Sequence, residues 1–196
     1  MYSKMDYITS LIIVALVTVM VFSLKAFMFD TSNDNRLYNH VQMQANLAVD
    51  ILQEELRVAQ DIMHYYEVTD GPDSLRFRTI SFSDASDDHE VVTLKVEHNA
   101  LLIIKHHMET AVQDTVIYPL NIREMNFSFY EPGVDPSTIN HTNANHIRMQ
   151  VMTESNPEEH VQTTSQEKVA RATANKEVFL RNRFVPGMDT HTPIPE

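Results

Sequence analysis

The chain has no cysteine, which excludes a disulfide framework, a thiolate zinc site and a thiol nucleophile. Glycine occurs only at Gly71, Gly133 and Gly187. No two of these stand close enough to build a phosphate-cradling loop of the dinucleotide or P-loop kind. The same scarcity removes the glycines that a nucleophile elbow needs. Positive charge is also short: 15 Lys and Arg against 27 Asp and Glu leave a net charge of −12. No basic block offsets it, so nucleic acid is not an expected partner. Punctuation is missing too, because neither glycine nor proline occurs before Gly71-Pro72.

What fills that opening is apolar. Ile8 to Leu24 (ITSLIIVALVTVMVFSL) carries no charge, and after Lys25 the residues Ala26 to Phe29 extend the apolar character to Asp30. As a helix, residues 8–28 span about 31 Å, the thickness of a bilayer's hydrocarbon core. Lys25 falls near one end, where its stem can lie in lipid and its ammonium reach the interface. A cleaved secretory signal is the competing reading. Against it, Asp6 offsets Lys4 ahead of the run, the run exceeds the usual signal core, and bulky Phe27, Met28 and Phe29 follow it. A retained membrane helix over residues 1–30 is expected. Basic residues lie on both sides of it, so charge leaves its orientation open.

After Thr31-Ser32-Asn33-Asp34-Asn35, apolar residues recur at Leu37, Val41, Ala45, Ala48, Leu52, Leu56, Ala59 and Met63. Spacings of three and four predict an amphipathic helix over 31–66 that lays one stripe on the rest of the fold. The polar patch either caps a second helix or weakens a continuous one.

Beyond the turn signal Asp70-Gly71-Pro72-Asp73, the period changes to two. Residues 91–97 and 100–106 flank His98-Asn99 and predict a hairpin with Val96 opposite Leu101, Leu94 opposite Ile103 and Val92 opposite Lys105. Ile122, Phe127 and Phe129 mark another strand, with a phase break near Arg123–Met125 that a bulge absorbs. His146–Met152 alternates with Ile147, Met149 and Val151 inward, and Val178–Phe184 closes the set. The expected class is α+β, a long N-terminal helix on an antiparallel β-sheet domain over 67–185. The proline-bearing tail, 186–196, is expected to be disordered.

No catalytic constellation emerges, and no enzyme activity or cofactor is expected. The histidines lack any fixed ligand spacing. Asp84, Asp87, Asp88 and Glu90 lack the regular alternation of a calcium loop and read as solvated charge.

Several phrases resemble type IV pilins and type II secretion pseudopilins, nearest to the PilW-like minor pilins and J-type pseudopilins. Residues 45–61 (ANLAVDILQEELRVAQD) resemble the helix that opens their globular domain. Leu101–Ile104, Tyr118-Pro119-Leu120 and Asn126–Tyr130 resemble their strand, loop and aromatic strand, and 146–152 with 178–183 resemble the closing strands. The resemblance implies a structural minor subunit of a pilus or pseudopilus. It implies a single pass through the bacterial inner membrane, with the C-terminal domain in the periplasm or on an extracellular filament. The implied partners are the lipid bilayer, other pilin-like subunits and a membrane-embedded assembly platform. Leu11, Ile12, Val14, Ala15, Val17, Val19 and Phe22 would pack in lipid and then in a filament core. The family's processing junction aligns on Asp6 and Tyr7. The family's Gly before that junction is Asp6 here, and the Glu of its fifth mature position is Leu11. Either a filament-tip position or an unprocessed relative accommodates those departures. A membrane-tethered periplasmic or surface binding module is the alternative function.

Overall fold

The computed structural model describes residues 2–69, 71–80, 89–107, 112–131, 133, 139, 141, 144–155 and 169–180. Among them the chain forms one helix, α1 (Tyr2–Arg57), followed by eight strands. These are β1 (Ala59–Tyr66), β2 (Ser74–Ile80), β3 (His89–Glu97), β4 (Ala100–His107), β5 (Gln113–Tyr118), β6 (Ile122–Tyr130), β7 (His146–Glu154) and β8 (Arg171–Phe179). Strands β1 to β5 form one antiparallel sheet in chain order, and β6 to β8 form a second. The single sheet expected from the strand pattern is therefore two.

α1 is continuous through the polar patch, so Thr31–Asn35 does not cap a separate helix. Its 56 residues make a rod about 84 Å long. The outer half is bare. The inner half lies against β7 and β8, where the small inward side chains Ala172 and Ala174 let the helix approach closely. Val41, Ala45, Ala48, Leu52 and Leu56 are buried there, and Leu37 is half-buried at the point of entry. Polar ties fix the seating. The Thr153 hydroxyl donates to the Val41 carbonyl at 2.8 Å, Lys176 on β8 reaches Asp50, and Lys105 on β4 pairs with Glu55 at 3.0 Å. Both sheets thus grip the helix, and one core unites it with Leu75, Phe77, Leu94 and Ile103 from the first sheet and Ile122, Met125, Ile147 and Met149 from the second.

The amphipathic helix predicted to reach residue 66 stops at Arg57, and Ala59 and Met63 belong to β1 instead. The reason is instructive. β1 carries two register shifts, between Ala59 and Asp61 and between Ile62 and His64. Bulges of this kind break the two-residue alternation. Buried residues then recur at Ala59 and Ile62, with Tyr65 half-buried, a spacing of three that imitates a helix. Met63 is half-buried next to inward Ile62 rather than on the helix stripe. The helix end is capped from a distance, as the Thr79 hydroxyl donates to the Val58 carbonyl at 2.9 Å.

The hairpin has the expected register, with Val96, Leu94 and Val92 opposite Leu101, Ile103 and Lys105. His98 and Asn99 have φ of 51° and 62°, the left-handed pair that a two-residue loop of type I′ demands. The phase break at Arg123 is a bulge between Ile122 and Glu124. Two strands differ from expectation. Gln113–Tyr118, where no strand is expected, pairs with β4, its exposed apolar Val116 and Ile117 giving no alternation to detect. The closing strand, Arg171–Phe179, begins well before the expected Val178, because Ala172 and Ala174 form its inward face and alanine carries little hydrophobic signal; residues 181–184 of the expected strand lie outside the described residues. The tail 186–196 and Asp84, Asp87 and Asp88 lie outside the described residues, whereas Glu90 sits on β3, 3.5 Å from His107.

Candidate membrane and assembly surface

The apolar half of α1 has nothing over it. Each large apolar side chain from Tyr7 to Phe29 is more than half exposed, including Leu11, Ile12, Val14, Val17, Val19 and Phe22, and Ala15 is exposed with them. They surround the helix on every side rather than forming one stripe. A helix apolar all round is stable only where lipid or other protein replaces water. It is long and apolar enough to cross a membrane, and its most apolar window is not buried in the fold.

The local chemistry suits that setting. The Thr18 hydroxyl donates to the Val14 carbonyl at 2.7 Å, and Thr31 repeats the pattern on Phe27 at 2.9 Å. Such back-bonding satisfies a hydroxyl that lipid cannot. The Lys25 ammonium lies 5.9 Å from the centre of the Phe29 ring, which directs the cation toward the Asp30 end of the apolar run. Tyr7 is exposed, Leu11 continues the apolar surface, and the side chain of Asp6 lies outside the described residues.

The two sheets are joined by a buried acid that no periodicity marks. Asp73 is 2% exposed and gathers three donors. The Tyr65 hydroxyl donates to Oδ2 at 2.8 Å, the Val68 N–H to Oδ1 at 2.9 Å, and the Phe127 N–H to Oδ2 at 3.2 Å. Its own N–H donates to the Met125 carbonyl at 2.6 Å. One carboxylate thus ties β1, the 67–73 turn and β6, and so joins the two sheets. Burial, followed by the bond to Asp73, holds the Tyr65 phenol well above its ordinary range, so it stays a neutral donor. Only its position in a turn marked Asp73 in the sequence, and turns usually read as solvent-exposed.

Outside that core, β6, β7 and β8 carry a polar group on the outer face of the second sheet. Tyr130 donates to Glu177 Oε2 at 2.5 Å, Arg148 donates to Glu177 Oε1 at 2.9 and 2.6 Å, and its guanidinium lies 5.4 Å from the Tyr130 ring centre. These bonds, Tyr130 first and Arg148 second, hold the Glu177 carboxyl below the usual range. Among the described residues no group of three His, Asp or Glu side chains is arranged to hold a metal ion.

In its fold the chain is similar to a type IV-like pilin from Thermus thermophilus, with a TM-score of 0.50 over 71% of this chain and 96% of that one, at 10% identity. The fold is type IV pilin-like. No family model and no curated protein sequence matches the chain. In this chain that fold consists of the long helix α1 with antiparallel sheets packed on its inner half.

Proposed function

We propose that this chain is a structural minor subunit of a type IV pilus or a type II secretion pseudopilus. Its outer helix would store the subunit in the bacterial inner membrane as a single pass, with the sheet domain in the periplasm until assembly. An assembly platform would then move it into a filament, where Leu11, Ile12, Val14, Ala15, Val17, Val19 and Phe22 exchange lipid for the helices of other subunits. The exchange costs little, since both surroundings are apolar and close packing supplies the gain. The observation that carries this reading is the uncovered apolar half of a rod whose other half is gripped by two sheets.

The absence of native cysteine permits a clean test. Cysteines placed singly at Leu11 and Val19, followed by oxidative or bifunctional cross-linking in cells, are expected to capture pilin-like subunits. Val14→Asp, which adds about 2.5–3.5 kcal/mol to the cost of insertion at a helix centre, is expected to abolish membrane retention and the adducts. Recovery of a membrane-held monomer with no adduct at either position refutes assembly and favours a tethered binding module. Sequencing the N-terminus of the natural protein decides processing, with a start at Tyr7 expected for a cleaved subunit.

A further inference from the structure

Arg76 and Arg78 stand side by side on one face of β2, the face turned away from the core that Leu75, Phe77 and Thr79 enter. Both are half-buried. The Nε atom of each is shielded from solvent, and among the described residues it has no hydrogen-bond partner and neither guanidinium has an ion pair. Asp61 lies opposite Arg78 across the β1 ladder without forming an ion pair with it. Opposite Arg76 are His64 on β1 and Thr93 on β3. Val91, opposite Arg78, is buried, so the pair sits at the edge of a partly desolvated patch where charge acts more strongly than in water.

This arrangement is costly for the fold. Like charges two residues apart on a strand repel, and a shielded, unsatisfied Nε donor is destabilising. In a chain with 27 acidic residues, a structural arginine would be expected to find a carboxylate. Arg57, Arg123, Arg148 and Arg171 all do. Among the other described arginines only Arg36 has no ion pair, and it is exposed on α1, whereas Arg76 and Arg78 are half-buried.

We propose that Arg76 and Arg78 form a docking site for an acidic polypeptide segment in extended conformation. The spacing selects that occupant. Side chains at i and i+2 of a strand are about 6.7 Å apart, which matches alternate carboxylates of another extended chain, one per guanidinium. A single phosphate or sulfate would require both forks to converge on one small ion. Each guanidinium offers the planar donor fork that a carboxylate accepts in bidentate fashion. The site is separate from the membrane helix and does not depend on filament assembly.

The test uses the full chain in detergent micelles and a fluorescein-labelled heptapeptide of alternating Thr and Glu, followed by anisotropy at fixed ionic strength. Saturable binding is expected, weakened at least tenfold by Arg76→Gln or Arg78→Gln and lost in the double variant. Arg148→Gln, whose arginine is already paired, is expected to bind like the parent. The double variant is also expected to melt at or above the parent temperature, because it removes repulsion and an unmet donor. Equal binding by the double variant overturns the proposal, as does a sharp fall in its melting temperature, which would make the arginines structural. Inorganic phosphate or anionic phosphatidylglycerol vesicles competing as well as unlabelled peptide would also overturn it, by assigning the site to a different anion.

Discussion

A single carboxylate decides how the two sheets meet. Asp73 accepts from the half-buried Tyr65 phenol, from the Val68 N–H and from the buried Phe127 N–H. Asp73→Ala leaves the Phe127 N–H buried without its partner, and a loss of about 1–3 kcal/mol is expected, read as a lower urea midpoint for the full chain in detergent. Asp73→Asn keeps one acceptor oxygen and should lose less. At the surface, Glu177 offers a contrast. Its folded-state pKa lies below its unfolded value, so its contribution is present above the ordinary glutamate range and fades as pH falls through the depressed value. Glu177→Gln should therefore flatten the acid limb of the stability curve as pH falls through and below the ordinary glutamate range. Because the group is exposed, added salt should shrink the difference. Urea titrations at several pH values, with and without salt, check both statements.

Among the elements, the hairpin and β1 show opposite relations between sequence and structure. The β3–β4 hairpin is locally determined, since its alternation and two-residue loop leave one register that buries Val92, Leu94, Leu101 and Ile103 together. Its weak point is the loop. His98 takes a left-handed φ that costs a non-glycine residue about 1 kcal/mol. Replacing His98-Asn99 with Asn-Gly should raise stability by about that amount, measurable as a higher melting temperature with an unchanged circular dichroism spectrum. β1 is globally determined. Its residues leave the helix because β2 offers a ladder and Thr79 caps Val58 from outside. Neither partner is visible in a local window.

For the whole molecule the governing feature is a rod half outside the fold. The grip on α1 begins near Leu37 and Val41, so the apolar residues before Asp30 add nothing to the core. A chain starting at Asp34 keeps the Thr153–Val41 bond, the Lys176–Asp50 and Lys105–Glu55 pairs and every core residue. It is expected to be monomeric without detergent and to melt cooperatively, as judged by gel filtration and circular dichroism. An insoluble product would mean that the outer helix belongs to the fold rather than to the membrane.

The membrane-length apolar run, the helical stripe from Val41 to Leu56, the hairpin register and the bulge after Ile122 were all legible in the sequence. Each rests on periodicity or composition within one element, where side-chain direction follows directly from backbone geometry. The end of α1, the division into two sheets, the start of β8 at Arg171, and the roles of Asp73 and of the Arg76–Arg78 pair were settled only in three dimensions. Each depends on partners distant in the chain: a ladder strand for Ala59–Tyr66, a helix face for Ala172 and Ala174, donors on three separate segments for Asp73. Such partners are brought together only by burial of the shared core, which no short stretch of residues encodes alone.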